Sequence, residues 1–234
     1  GFESDALIPS VLASVTAYSV VISIFGESTL FTHAPRFPFV PAHLPLYGLL
    51  AFAIAVVAIG FLAVFGTTRR LFSKLPGPDW IRPALGGLAL GVLATAVITF
   101  IGGGGSGRGF GILGGGYGAV QAAISGADWL PLGWTGVLLL LGLSLVKVFA
   151  ASLTIGSGGS AGDFAPSLAI GGLLGGAFGR AAQIVLADPR IDPGAFALVG
   201  MGAFYGGIAH VPLASLVLVC ELAGNYDLLV PLML

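Results

Sequence analysis

The sequence predicts an all-α, polytopic membrane protein with tilted and broken helices, and three observations support this fold class. Apolar residues make up 56% of the 234 residues and charged residues only 8%, whereas an ordinary soluble domain has about a quarter charged residues. The uncharged runs over 37–68, 83–107 and 193–220 exceed the roughly 20 residues that a spanning helix needs. Finally, 39 Gly and 14 Pro residues divide these runs into unequal pieces, which predicts irregular backbone between helices.

The charge pattern excludes several classes of function. The net charge is −1 and the nine Lys and Arg residues are scattered, so we expect no nucleic-acid partner. Cys220 is the only cysteine and has no metal-ligand spacing around it, so we expect neither a metal site nor a cofactor. The one concentration of basic residues lies between two apolar runs, which predicts a cytoplasmic loop by the positive-inside rule; it comprises Arg69, Arg70, Lys74 and Arg82.

The N-terminal part contains one predicted helix followed by a proline-rich connection. The helix covers 7–25, and Pro9 is tolerated in its first turn. The connection covers 26–45 and contains His33 and His43. We interpret both as solvated loop residues, because no Cys, Asp or Glu lies at ligand spacing from them.

The next two predicted helices are separated by a short turn. The first covers 46–74 and ends where Pro76 and Pro78 remove backbone donors. The second covers 79–102. It carries small residues that permit close approach of helix backbones in lipid, namely Gly86, Gly87 and Gly91.

A glycine-rich segment divides the chain near its middle. Residues 102–118 contain too many glycines for an uninterrupted membrane helix, so irregular backbone at or near membrane depth is predicted there. A short helix over 117–124 and a longer one over 133–154 follow. The longer helix contains Lys147, which we expect to snorkel or pair, or to line an aqueous path.

The apolar pieces become shorter towards the C-terminus. Short hydrophobic segments interrupted by Gly and Pro are the means by which transporter folds expose backbone to a substrate. We therefore expect function to reside in this part of the chain. Its predicted helices cover 164–186, 193–208, 212–223 and the residues from 228 onward.

One turn in this region has the pattern of an anion site. Residues 155–176 read IGSGGSAGDFAPSLAIGGLLGG, a Gly/Ser turn that leads directly into an apolar helix marked by Pro166. The first amides of such a helix have no intrahelical partners, and the helix dipole places about half a positive charge there. An anion is a natural ligand. A plain tight turn between two packed helices remains the alternative.

Two other motif matches are weighed as enzymatic alternatives. Residues 158–162 satisfy G-x-S-x-G, so an intramembrane serine hydrolase would use Ser160 with His210. The segment before Ser160 has a helical pattern, however, and a nucleophile elbow requires a strand. Residues 102–107 satisfy G-x-G-x-x-G, but they lack the βαβ context of a dinucleotide site. We expect the protein not to be an enzyme; a structural membrane subunit without transport is a third possibility.

Three segments resemble the CLC family of chloride channels and chloride/proton antiporters. The stretch GSGGSAGDFAPSLAIGGLLG is similar to the family's GxFxP element, with Gly162, Phe164 and Pro166 at the defining positions. Residues 200–233 and 109–124 are similar to its later helices and to the stretch after its central loop. The resemblance implies the CLC-type inverted-repeat fold, a homodimer with one anion pathway in each subunit, and chloride transport in the cell (plasma) membrane.

The resemblance also implies a set of site residues. It implies that the backbone amides of Asp163 and Phe164 bind the anion. From the helix start we expect Gly162 and Ala165 to contribute as well, with Ser160 and Pro166 supporting the pathway. Asp163 departs from the family's usual apolar residue. We interpret it as an N-cap for the following helix, with an altered anion preference as the alternative.

The family's other functional residues are expected outside the chain. We read 1–234 as one transmembrane domain, without a soluble domain, that corresponds to the end of the first half and most of the second half of a CLC membrane domain. The gating and proton glutamates, the central serine and the coordinating tyrosine would lie beyond it, so channel and antiporter both stay open. Glu221 and Tyr226 do not match those positions; we expect helix packing, with a partner for Glu221.

Overall fold

The computed structural model describes residues 4–26, 31, 40–101, 110–127, 129–224 and 226–233. Within these ranges the chain forms α-helices and one 3-10 turn, Pro41–His43, and no residue lies in a β-strand. The all-α prediction is confirmed, and each predicted helix boundary lies within one turn of the observed one. The helices are α1 Ser4–Phe25, α2 Leu44–Ser73, α3 Ile81–Ile101, α4 Tyr117–Ser125, α5 Trp134–Gly156, α6 Phe164–Leu186, α7 Pro193–Ala209, α8 Pro212–Ala223 and α9 Leu229–Leu232.

Five of these helices are long and apolar enough to cross a membrane, namely α1, α2, α3, α5 and α6. Large apolar side chains lie exposed on the first three, as contact with lipid tails requires; Phe52, Leu88 and Phe100 are 71%, 68% and 89% exposed. By contrast, α7 and α8 are apolar but shorter. Short and long apolar helices together produce the broken-helix architecture that the interrupted runs predict.

Helix α6 lies at the centre of the fold, because it packs against α5, α7 and α4. Its contact with α7 depends on glycine: a Cβ on Gly175 would lie 2.1 Å from the carbonyl oxygen of Phe196. The contact with α5 includes a buried hydrogen bond, in which the Ser144 hydroxyl donates to the Ile170 carbonyl at 3.0 Å. A glycine contact and a backbone acceptor thus hold the middle of α6 against α7 and α5.

The three glycines predicted to pack in α3 behave differently from one another. A Cβ on Gly86 would lie 2.2 Å from the Ser157 hydroxyl, so this glycine permits α3 to approach the end of α5. Around Gly87 and Gly91 a Cβ would meet nothing within 4 Å. The packing prediction is therefore confirmed for Gly86. Gly87 and Gly91 lie on the exposed face of α3 and pack against no helix in the described part of this chain.

The connection before α2 corrects one further expectation. His43 is buried rather than solvated, and its Nε2 lies 3.5 Å from a carboxylate oxygen of Asp188 in the turn between α6 and α7. A loop histidine becomes buried here because the α6–α7 turn folds over the start of α2. His33 lies outside the described residues.

Candidate functional site

The turn between α5 and α6 is shaped by glycine. Gly158 has a left-handed φ of 93°, and a Cβ on Gly159 would lie 2.6 Å from the carbonyl oxygen of Thr154. The Gly159 amide donates to that same carbonyl at 3.0 Å and so ends α5. The chain can reverse this tightly only with glycine at these positions.

Helix α6 begins with amides that have no hydrogen-bond acceptor. Its first backbone hydrogen bond runs from the Ser167 amide to the Asp163 carbonyl, at 3.0 Å. Pro166 has no N–H, and the amides of 161–165 donate to no group in the described ranges. Unpaired donors and the positive end of the helix dipole therefore coincide at the turn that the sequence singles out.

Asp163 occupies the N-cap position of α6 but does not cap it. Its backbone is helical, with φ −86° and ψ −14°, and its side chain accepts no capping hydrogen bond. An N-cap carboxylate reaches the amides two or three residues on when its own backbone is extended. The helical backbone explains why the expected cap bond is missing, so the capping interpretation is wrong in this respect.

Two cavities share Gly162 in their lining. The first, of about 260 Å³, is lined by Gly162, Ala165 and Pro166 at the start of α6 and by Lys147 of α5. The second, of about 200 Å³, is lined by Gly162, Asp163 and apolar side chains of α2. A Cβ on Gly162 would meet nothing within 4 Å, so the backbone here borders open space. Since a water occupies about 30 Å³ in the liquid, each cavity has room for a small anion with some water.

Two further predicted residues border the turn in different ways. The Phe164 ring is held edge-on against Tyr205 of α7, with ring centroids 5.0 Å apart, a favoured aromatic geometry. Ser160 is exposed and donates no hydrogen bond within the described residues. The Phe164 ring is thus fixed against α7 but lines neither of the two cavities, and Ser160 is a free hydroxyl in the turn.

The sequence did not decide between the possible environments of the Lys147 side chain, and the structure does. It is buried, and its ammonium donates to the carbonyls of Gly111, Ile112 and Gly114 at 2.8, 3.1 and 2.6 Å. It also lines the larger cavity. The side chain therefore pairs with backbone rather than snorkelling to the membrane surface. A single lysine in an apolar helix indicates from sequence that the residue needs partners, but no sequence pattern indicates which loop supplies them.

The hydrolase alternative gains no support from the geometry. Helix α5, rather than a strand, leads into the turn, and a nucleophile elbow requires a strand. Ser160 and His210 are both exposed, and no hydrogen bond joins them. The G-x-G-x-x-G match at 102–107 lies outside the described residues.

The expected partner for Glu221 is present. The Tyr226 hydroxyl donates a short hydrogen bond to a carboxylate oxygen of Glu221 at the end of α8. Both residues are exposed, and neither lines the two cavities at the α6 start. Among the described His, Cys, Asp and Glu residues, no group of three or more is arranged to hold a metal ion.

The sequence of the chain is similar to a known protein family and to several of its members. A family model described as "Voltage gated chloride channel" matches residues 1–234. The chain is 30% identical over 226 residues to the H(+)/Cl(-) exchange transporter ClcA of Yersinia pestis bv. Antiqua (strain Angola), which covers 96% of this chain and 44% of that protein. It is 31% identical over 227 residues to a putative chloride channel protein, ClcB-like, of Ralstonia nicotianae (strain ATCC BAA-1114 / GMI1000), with coverage of 97% and 48%.

A solved structure shares the fold. The crystal structure of a slow cyanobacterial Cl-/H+ antiporter superposes with a TM-score of 0.75 at 21% identity, covering 94% of this chain and 47% of that one. The chain therefore spans a little under half the length of the proteins it matches. The likeness confirms the predicted all-α fold with tilted and broken helices. The family match and the five apolar helices indicate an integral, multi-pass membrane protein.

Proposed function

The chain belongs to the voltage-gated chloride channel family, and from that membership we propose that it moves chloride across the membrane through the start of α6. The observation that carries the proposal is the set of unpaired amides at 161–165. Four of these five residues line the two cavities that share Gly162, namely Ala161, Gly162, Asp163 and Ala165. The names of its relatives, an exchange transporter and a putative chloride channel, support chloride as the ion.

Amide donors suit an ion that must both bind and leave. The amides at Gly162, Asp163, Phe164 and Ala165 offer partial positive charges, and the dipole of α6 adds to them. A conduction site must bind well enough for entry and weakly enough for release. Ser160 can add a hydroxyl donor from the turn. Pro166, in the first turn of α6, has no N–H that would need an acceptor. We expect the Phe164 ring to border the path, although it lines neither cavity.

The remaining features of the proposal concern the whole protein. We expect a homodimer with one anion pathway in each subunit, residence in the plasma membrane, no cofactor and no enzymatic activity. The resemblance to the CLC family supports the dimer. The basic residues Arg69, Arg70 and Lys74, exposed at the end of α2, support a cytoplasmic position for the turn between α2 and α3.

Transport is tested with purified protein in liposomes loaded with chloride. A chloride electrode and a pH electrode record the external solution in the same trace. Chloride efflux with proton movement in fixed ratio supports an antiporter, and efflux without proton movement supports a channel. Efflux no faster than from protein-free liposomes contradicts the proposal, and efflux of nitrate or fluoride alone replaces chloride with that ion.

A further inference from the structure

Lys147 is a charged residue on a membrane-spanning helix, and its side chain is buried inside the protein. It is 3% exposed and lies in the middle of α5, whose other residues carry no charge. An ammonium in such a position is costly unless every N–H finds a partner. All three do, on the carbonyls of Gly111, Ile112 and Gly114.

The loop that receives Lys147 has a backbone suited to this contact. Four of its residues have left-handed φ angles, which turn successive carbonyls towards one side; these are Phe110 at 43°, Gly111 at 69°, Gly114 at 71° and Gly116 at 86°. A Cβ on Gly116 would lie 3.4 Å from Cε of Lys147. Glycine therefore permits both the backbone angles of the loop and its close contact with the lysine side chain.

The same loop lies directly against the first turns of α6. A Cβ on Gly116 would lie 2.7 Å from the Cβ of Ala169, and one on Gly115 would lie 3.5 Å from the Cβ of Ala165. Lys147 thus holds a loop that in turn holds the α6 start. Both the loop and the lysine line the larger cavity together with Gly162 and Ala165.

The charge of Lys147 is not neutralised by a neighbouring acid. Within the described ranges no Asp or Glu forms an ion pair with it. Carbonyl dipoles solvate the ammonium but leave its unit charge, so the cavity wall carries a positive potential. Because the carbonyls take all three hydrogens, the ammonium acts on an ion through its field and does not bind it directly.

We infer that Lys147 is a positioning and anion-attracting residue of the α6 site. Its hydrogen bonds fix the 110–116 loop against the first turns of α6, and its charge raises the anion concentration in the 260 Å³ cavity. The inference rests on the proposed function, since it assigns a role within the same pathway. It differs from a purely structural role because the charge itself, and not only the packing, is required.

The test compares substitutions that keep or remove the charge. Chloride is titrated calorimetrically into purified wild-type, Lys147→Gln and Lys147→Arg protein, each first checked for a single size-exclusion peak. Glutamine keeps an amide donor for the loop but no charge, and arginine keeps the charge. Ser144→Ala, one turn earlier on α5 and bonded to Ile170 away from the cavity, is the matched control for a buried change.

The expected result is a chloride Kd raised about tenfold or more by Lys147→Gln, with Lys147→Arg within about threefold of wild type and Ser144→Ala unchanged. A folded Lys147→Gln protein that binds chloride as wild type does overturns the inference and leaves the proposed function intact. If Lys147→Gln does not fold, the arginine variant decides: wild-type affinity supports the role of charge, and a tenfold loss overturns it. Wild-type protein that binds no chloride contradicts the proposed function itself.

Discussion

Gly171 of α6 and Gly200 of α7 are in direct backbone contact: a Cβ built on either one would lie 2.3 Å from the carbonyl oxygen of the other. No flexible side chain can move aside to relieve this contact, because the obstructing atom is backbone in both directions. The crossing of these two helices therefore requires glycine on both sides, and the position of the α6 start depends on it.

Gly200→Ala should destabilise the protein by about 1–3 kcal/mol, since the added methyl group forces the helices apart. Thermal unfolding in detergent measures this as a lower midpoint. Gly142→Ala in α5 is the matched control, because a Cβ there meets nothing within 4 Å. A midpoint for Gly200→Ala equal to that of the control would show that α6 and α7 do not cross this closely.

Two aspartates at helix starts should differ in their contribution to stability. The Asp192 carboxylate accepts a hydrogen bond from the Gly194 amide at 2.8 Å and caps α7, whereas Asp163 accepts none at α6. Asp192→Ala should cost about 1 kcal/mol of unfolding free energy and Asp163→Ala less than about 0.5 kcal/mol. Denaturation of both variants in detergent compares them; an equal loss would mean that Asp163 does cap α6.

The anion preference should also respond to Asp163, because a carboxylate beside the unpaired amides repels an anion. Asp163→Ile should raise the chloride affinity several-fold, which calorimetric titration measures. Relative efflux of chloride and nitrate from liposomes shows whether the selectivity changes as well. Unchanged affinity together with unchanged selectivity would leave Asp163 without a role in the pathway.

Stability in acid should depend on the turn between α6 and α7. The side chain of Arg190, with its amide, donates to the Asp188 carboxylate and holds the pKa of Asp188 well below its ordinary value. A group whose folded pKa is lowered stabilises the fold fully above its unfolded pKa of about 3.9, and this contribution is lost as the pH falls towards the folded pKa.

Asp188→Asn should therefore lower the unfolding midpoint at pH 6 and show a shallower fall than wild type between pH 5 and pH 3. Thermal unfolding across that range is the measurement. Asp79→Asn serves as control, because the ion pair of Asp79 with Arg82 is 3.5 Å long and its carboxylate is 98% exposed; this variant should follow wild type. Parallel curves for Asp188→Asn and wild type would contradict the account of this turn.

The edge-on contact between Phe164 and Tyr205 should influence which anions pass. Tyr205→Leu removes the ring that holds Phe164, a contact that contributes about 1 kcal/mol. The ratio of chloride to nitrate efflux should therefore change about twofold or more. Tyr205→Phe keeps the ring and should leave the ratio unchanged. A Leu variant with wild-type selectivity would mean that the Phe164 ring does not border the path.

Helix boundaries and the α6 turn could be predicted because local chemistry determines them. Pro76 and Pro78 cannot continue α2, and the Gly/Ser turn before Pro166 cannot remain helical. Each of these signals acts within a few residues of the feature it predicts.

The environments of Lys147, His43 and Asp163 could not be predicted in the same way. The first two depend on contacts with residues far away in sequence, namely the 110–116 loop and Asp188. Asp163 has a residue type and position typical of a cap, but the backbone angles at that position prevent the bond. Only the packed structure determines these distances.

The central claim is that backbone amides at the α6 start bind the anion, and Ala165 offers the most direct test. Ala165→Pro removes one N–H in the first turn of α6, where no intrahelical hydrogen bond is lost, whereas Ala165→Ser keeps it. The measurement is calorimetric titration of chloride into wild-type protein and both folded variants. We expect Ala165→Pro to weaken chloride binding about tenfold or more, since a hydrogen bond to a charged group contributes about 1.5–3 kcal/mol. Ala165→Ser should bind chloride as the wild-type protein does. Wild-type affinity in a folded Ala165→Pro protein would contradict the claim.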